Sequence, residues 1–194
     1  MKVNNCRRWR SLCRVSLLTA LGLVTILLTS CRAGEQLEER GKTLSITSPA
    51  FQEGSRIPDR YTSQGEDVSP PLAWNEPPAG TQSLALIMDD PDAPGGVFTH
   101  WVIFNIPANS RGLPEAVPTE YQLSDGSLQG RNDFGRIGYG GPSPPPGAVH
   151  RYRFTLYALA KSLDLKAGAS KKQVLDAMQG HILARGELTG VYQR

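Results

Sequence analysis

The chain has 194 residues, 39% of them hydrophobic and 20% charged, with a formal net charge of +3. That composition suits one globular domain, and no tract is biased enough for wholesale disorder. Twenty glycines and 15 prolines favour a turn-rich fold over a helical bundle.

The chain opens on Lys2, Arg7, Arg8, Arg10 and Arg14, with no acid among them, followed by a mostly apolar run from Val15 to Leu28. Ser16, Thr19 and Thr25 interrupt that run, which is short for a membrane span. The pattern is that of a secretory signal over residues 1–30, and an uncleaved signal anchor is the alternative. The leader takes 5 of the 21 basic side chains and none of the 18 acidic ones, so the rest of the chain carries 16 against 18, a net of −2. The basic balance therefore belongs to the leader and is no argument for nucleic acid as a partner. Cys6 and Cys13 would leave with it. If Cys31 is modified, no free thiol remains, which excludes a disulfide framework, cysteine catalysis and zinc-thiolate sites.

Residues 31–42 are polar and charged, with Glu35, Glu38, Glu39 and Arg40, and read as a tether. The domain proper is expected over 43–194. Leu44-Ser45-Ile46-Thr47 alternates like an edge strand. Turn formers fill Glu53 to Pro71, and Leu72-Ala73-Trp74 is a short strand. Ser83 to Met88 is a continuous apolar run, too short for a helix, and reads as a central strand. Asp89-Asp90-Pro91-Asp92-Ala93-Pro94-Gly95-Gly96 then makes a stiff acidic turn. Phe98 to Ile106 is the strongest strand, and period-2 alternation puts Phe98, His100, Val102, Phe104 and Ile106 on one face. The proline- and glycine-rich stretch Asp133 to Gly147 is a rigid loop. His150 to Leu159 is another strand, with His150, Tyr152, Phe154, Leu156 and Ala158 sharing a face. Val174, Leu175, Met178 and Ile182 have helical spacing behind a Ser170 N-cap, with Gly186 as the far bound, and His181 falls on that helix as a structural residue. A last short strand is expected over Leu188 to Tyr192. The sum is a β-rich α+β domain with one helix near the C-terminus.

Two histidines, His100 and His150, thus sit at the starts of strands beside glycine/proline loops. If the strands are neighbours, the imidazoles meet at the end of the sheet, with the Asp90-Pro91-Asp92 turn beside them. Imidazole N–H groups, and loop amides near Gly140 and Gly141, can donate to an anion. The carboxylates can orient a histidine, and Trp101, Tyr139 and Tyr152 can wall off water. Spacing alone leaves other readings open. A histidine on an apolar strand face is commonly a satisfied core residue, and the aspartates serve equally as turn formers. Two aspartates and two histidines can also bind a metal, although no helical His-x-x-x-His spacing is present. Ser69 and Ser143 lack a Gly-x-Ser-x-Gly context, which argues against a serine hydrolase.

At these residues the chain resembles a known family. The most specific parts are Asp90-Pro91-Asp92-Ala93-Pro94, Thr99-His100-Trp101-Val102, and Gly141-Pro142 leading to Gly147-Ala148-Val149-His150-Arg151-Tyr152. Ser69-Pro70-Pro71-Leu72 and Gly180-His181-Ile182-Leu183-Ala184 add to them. These motifs, spanning Leu44 to Tyr192, resemble the phosphatidylethanolamine-binding proteins, which include the Raf kinase inhibitor proteins, and especially their bacterial YbhB/YbcL-like branch. The resemblance implies a β-sandwich-like fold with a large central sheet, a smaller sheet and peripheral helices. It implies a binding or inhibitor module rather than an enzyme. A small cavity for phosphate, acetate or a phosphoethanolamine head group would be built from Asp90, His100, Gly141, Pro142, His150 and Tyr152. Asp92 and Pro144 would support the loops. No catalytic residue, cofactor or metal is implied. A hydrolase using the same Asp/His cluster with water or a metal is the alternative, and a purely structural envelope protein a third. Leu28-Thr29-Ser30-Cys31 resembles the bacterial lipobox, in which the cysteine takes a diacylglycerol and palmitate-type acyl chains. That implies a membrane-anchored lipoprotein of the bacterial cell envelope, facing the periplasm or exterior. Members of the family are commonly soluble without an anchor, so this feature sets the chain apart. Any protein partner is unnamed by the sequence, and kinase inhibition is not carried over to an exported protein.

Overall fold

The computed structural model describes residues 44–194. The expectations for the leader, the tether and Cys31 lie outside the described residues.

Two antiparallel sheets form the domain. The smaller has β1 (Ile46–Thr47), β2 (Leu72–Trp74) and β5 (Gly112–Leu113) in the order β1-β2-β5. The larger has β3 (Ser83–Asp90), β4 (Phe98–Pro107), β6 (Leu128–Gln129), β7 (Val149–Leu159) and β8 (Ile182–Gln193), in the order β6-β4-β3-β7-β8. The uninterrupted apolar run of β3 follows from its place at the centre: all eight of its residues are buried, because both faces of the sheet are covered. One face carries Leu84, Leu86, Met88, Trp101, Ile103, Phe154 and Leu156, which pack with Ile46, Leu72, Trp74 and Leu113 of the small sheet. The other carries Ala85, Ile87, Val102 and Phe104, which pack under Val174 and Met178 of the helix α1 (Lys171–Met178). Each fully buried aliphatic side chain stabilises the fold by roughly 1.5–3 kcal/mol. One turn of 3-10 helix, Asp59–Tyr61, lies at the periphery.

Strand β4 departs from simple alternation twice. Its register against β3 pairs Met88 with Trp101 but Asp89 with Thr99, so His100 is an extra residue, a β-bulge. A second irregularity pairs Leu86 with Ile103 and Leu84 with Ile106, with Asn105 at φ 55°. Period-2 counting placed Phe98, His100, Val102, Phe104 and Ile106 on one face. The bulges break that count: Val102 and Phe104 face the helix, while Ile106 joins the opposite core and His100 meets the ring of Tyr152 there.

The C-terminal segment also differs from expectation. Ser170 caps α1 as predicted, accepting from Gln173 N in a capping box. The helix ends at Met178 and Gly180 (φ 74°) turns the chain, so His181 is in the turn and Ile182 starts β8 rather than a last helical turn. The last strand runs for 12 residues, through Gly186. Gly186 bounds no helix. A Cβ there would sit 2.1 Å from the Leu44 carbonyl oxygen, so the glycine admits close approach of the chain next to β1.

Candidate functional site

The turn after β3 gives three neighbouring carboxylates three different partners. Alternation along β3 sends Asp89 and Asp90 to opposite faces. Asp89 takes Lys171 Nζ at 2.7 Å and ties the helix to the sheet. Asp90, on the other face, accepts from His150 Nδ1 at 2.7 Å through Oδ2 and from the Asp92 amide at 2.8 Å through Oδ1. Asp92 forms a fork with Arg151, Oδ1 to Nη2 at 2.7 Å and Oδ2 to Nε at 2.9 Å, and also accepts the Arg151 amide at 2.9 Å. That guanidinium holds the Asp92 carboxyl down at about 2. Two prolines and these bonds fix the turn against the start of β7.

His100 and His150 line one cleft at the end of the sheet, although their strands are not the neighbours supposed from sequence: β3 lies between β4 and β7. His150 and Asp90 are both nearly inaccessible, 5% and 3% exposed. His100, 2% exposed, donates from Nδ1 to the Gly140 carbonyl at 2.7 Å, and Gly140 N returns a bond to the His100 carbonyl at 3.0 Å. A carbonyl only accepts, so Nδ1 bears the proton and Nε2 is the imidazole's remaining polar atom. Burial lowers the pKa of His100, so the ring is neutral at pH 7. His150, with Nδ1 on a carboxylate, likewise has Nε2 left over.

These groups line a cleft of about 350 Å³. Asp90, His100, His150 and Pro144 belong to its lining, with Phe98, Phe134, Pro94, Pro145, Ser143 and Arg194. The rings of Phe98 and Phe134 stand edge-on to each other at 4.7 Å, and each lies 5.2 Å from the His100 ring. Tyr152 packs edge-on against His100 at 5.1 Å, and its buried hydroxyl has no hydrogen-bond partner. Burial and the Asp90 charge raise the Tyr152 pKa, so the phenol stays protonated.

Several expected contributions take another form. The Gly140 and Gly141 amides were expected to donate to an anion, but both are used within the protein, the first by His100 and the second by Asp67 Oδ1 at 2.6 Å. Gly141, Pro142 and Tyr152, expected as ligand contacts, are not among the lining residues of the cleft. A Cβ on Gly141 would lie 2.5 Å from the Tyr61 carbonyl oxygen, and the Pro142 carbonyl accepts from Ser63 N at 3.0 Å. Both serve to lock the loop in place. Trp101 and Tyr139 are not walls of the cleft. They pack on each other in the core at 5.6 Å, with Trp101 Nε1 donating to Gln129 Oε1 and Tyr139 Oη donating to the Tyr61 carbonyl. The walls are Phe98, Phe134 and the prolines. Sequence reasoning missed Phe134, Asp67 and Arg194. Only Arg194 left a readable trace, as the next alternate position after Tyr192. Among the described residues no group of three or more His, Cys, Asp or Glu side chains is placed to hold a metal ion.

A two-sheet fold with a buried Asp–His pair, a second histidine and an apolar rim defines a ligand-binding class, and the comparisons specify it. The family model described as phosphatidylethanolamine-binding protein matches residues 47–193, and the chain belongs to this family. A UPF0098 protein of Methanothermobacter thermautotrophicus is 57% identical over 151 residues, covering 78% of this chain and 99% of that protein. The UPF0098 protein YbhB of Escherichia coli is 38% identical and covers 77% of this chain and 99% of its own length. Among solved structures, E. coli YbcL, described as a member of the mammalian PEBP family, superposes with a TM-score of 0.73 at 33% identity, covering 79% of this chain and 99% of that one.

Proposed function

We propose that this protein is a binding module that holds a small anionic group, of the phosphate or phosphoethanolamine type, between His100 and His150, and that it works from a membrane surface to which Cys31 anchors it. The observation that carries this reading is the pair of imidazoles with both Nδ1 atoms tied to the protein, so that their Nε2 atoms are what they can offer to one cleft. Apolar walls exclude water and strengthen each polar contact made there. The family's name refers to an ethanolamine phospholipid, whose phosphoethanolamine head group is a phosphate monoester once released. Regulation of a partner enzyme is the role such a module would serve, with ligand occupancy as its signal.

Anion binding should take up protons. Without a bound anion His100 is neutral near pH 7, because burial depresses its pKa. A bound anion favours the imidazolium and raises that pKa, so by linkage affinity rises as pH falls from neutral. The other charges facing the site are Asp90, held by His150, and Arg194, with the Asp92–Arg151 pair at the edge. Phosphate monoesters lose their second negative charge near pH ~6, which opposes the trend at the acid end. Calorimetric titration with inorganic phosphate should therefore show a broad affinity maximum at mildly acidic pH. Affinity that is flat or climbs towards alkaline pH would remove the imidazoles from the account.

The anchor has its own test. Each buried methylene of an acyl chain contributes about 0.8 kcal/mol, and two or more chains give stable attachment. Cys31→Ser is expected to leave the protein unprocessed or released from the detergent phase. Normal processing and unchanged partitioning of that variant would contradict acylation at Cys31.

The Asp90–His150 pair also supports a second reading, since a carboxylate on Nδ1 orients Nε2 as a general base for a water-using hydrolase. Turnover of phosphomonoesters or carboxylic esters that His150→Ala abolishes would favour it.

A further inference from the structure

We infer that Arg194 is a specificity-determining residue of the cleft and that, together with the two imidazoles, it selects terminal phosphate groups (inorganic phosphate or a monoester) over phosphodiesters. The inference rests on the phosphoryl-binding reading above and names the ligand class of that site.

Arg194 lies just beyond β8 and belongs to the cleft lining. Its placement follows from register. His150 pairs with Tyr192 across β7 and β8, and side chains two apart on a strand share a face, so Arg194 follows Leu188, Gly190 and Tyr192 on the face that bears the site. The main chain there is held: Gly147 N donates to the Arg194 oxygen at 3.1 Å, and Gln193 Nε2 donates to the Gly147 carbonyl at 3.1 Å. These bonds join the end of β8 to the turn after Pro144 and Pro145, the opposite lip of the cleft.

The neighbouring cations are already engaged. Arg151 forks onto Asp92. Arg136 lies over the Phe134 ring and reaches Asp67 at 3.5 Å. Arg194 has no ion-pair partner among the described residues. The ion pair of the cleft's own carboxylate, Asp90, is with His150 and not with Arg194. The lining thus includes one arginine without an ion-pair partner among the described residues, and the planar fork of a guanidinium matches phosphate oxygens in pairs.

His100, His150 and Arg194 are the three basic residues that line the cleft. A monoester or inorganic phosphate offers at least three terminal oxygens, one for each. A diester offers two and must leave one group unmatched, while its second ester arm occupies the position of the third. The selection is therefore one of oxygen count and shape as well as charge.

The test compares inorganic phosphate, methyl phosphate and dimethyl phosphate by calorimetry on the full chain, near pH ~5, where both esters carry one negative charge. The wild type should bind methyl phosphate at least ~10-fold tighter than dimethyl phosphate, the scale of one charge-assisted contact. Arg194→Gln should reduce that ratio to below ~3 by weakening the monoester alone, and Arg194→Lys should restore part of it. Arg194 is exposed, so these variants keep the fold. Phosphate binding without a monoester preference, or a preference that survives in Arg194→Gln, would overturn the role of Arg194 and leave phosphoryl binding standing. Failure of the wild type to bind any of the three would overturn both.

Discussion

Phosphate affinity should fall by roughly 10²–10⁴-fold in the double variant His100→Ala/His150→Ala, which corresponds to about 3–6 kcal/mol for two charge-assisted hydrogen bonds. Each single variant should lose about 10–100-fold. The loss should come from the ligand contact more than from the fold, because each imidazole makes one side-chain hydrogen bond to the protein, to Gly140 and to Asp90. His150→Ala does leave Asp90 buried with one oxygen unpaired, so that variant should also be less stable than His100→Ala. His181 is in the turn before β8, away from the cleft lining, and His181→Ala should bind as the wild type does. Titration calorimetry with inorganic phosphate at mildly acidic pH measures all four proteins. Full binding by the double variant would show that backbone or arginine contacts suffice.

The largest effect on stability is expected away from the cleft, at Gln129. This side chain is fully buried at the end of β6 and makes three hydrogen bonds: it accepts from Trp101 Nε1 at 2.8 Å and donates to the Pro118 and Glu120 carbonyls at 2.6 and 2.8 Å. Trp101 adjoins the His100 bulge, so Gln129 ties the loop before β6 to the strand that carries the site. Gln129→Leu keeps the bulk and removes all three partners at once. The orphaned Trp101 indole N–H is buried and costs about 1–3 kcal/mol, while the Pro118 and Glu120 carbonyls belong to exposed residues and cost less, so a loss of about 2–4 kcal/mol is expected, against a total of about 5–15 for a typical domain. The exposed Gln193→Ala should stay within about 0.5 kcal/mol of wild type. Urea unfolding followed by tryptophan fluorescence measures both. A Gln129→Leu midpoint equal to that of wild type would mean that these carbonyls and the indole find water instead.

The strands that sequence made legible were those whose burial is uniform or strictly alternating. Ser83 to Met88 had to be central because no polar face interrupts it, and His150 to Ala158 alternates without a break against β8 until the Ala158/Leu159 irregularity. Strand β4 was legible as a strand but not in its facing. Its two bulges are set by pairing with β3, which no local pattern in Phe98 to Ile106 announces. The same limit applies at the C-terminus, where Val174 and Met178 keep helical spacing and Ile182 happens to extend it, although Gly180 turns the chain in between.

Within the site, Asp90, His100 and His150 were legible because they are unusual residue types at the ends of apolar strands. Their division of labour was not. Whether Asp89, Asp90 or Asp92 meets an imidazole depends on which strand lies alongside and on which face the chain turns: Lys171, His150 and Arg151 are 82, 60 and 59 residues away. Glycine amides near Gly140 looked available for an anion in sequence, yet they close the loop on His100 and Asp67. Phe134 was hidden for a similar reason. Its turn is fixed by Asn132 Oδ1 accepting from Arg136 N at 3.0 Å and by Asp133 pairing with the backbone of Thr99, contacts that exist only once the loop has docked on β4.

The central claim is that the Nε2 atoms of His100 and His150 jointly hold a phosphate-type anion. Nitrogen-15 NMR of the imidazoles during titration with inorganic phosphate tests it most directly, because it reports each ring nitrogen separately. The account predicts that, at a pH near neutral, Nε2 of His100 moves towards the protonated imidazolium position as phosphate is added and the Nε2 resonance of His150 shifts on the same saturation curve, while His181 stays where it was. Saturable phosphate binding with all three rings unmoved, or a shift at His181 alone, would contradict it.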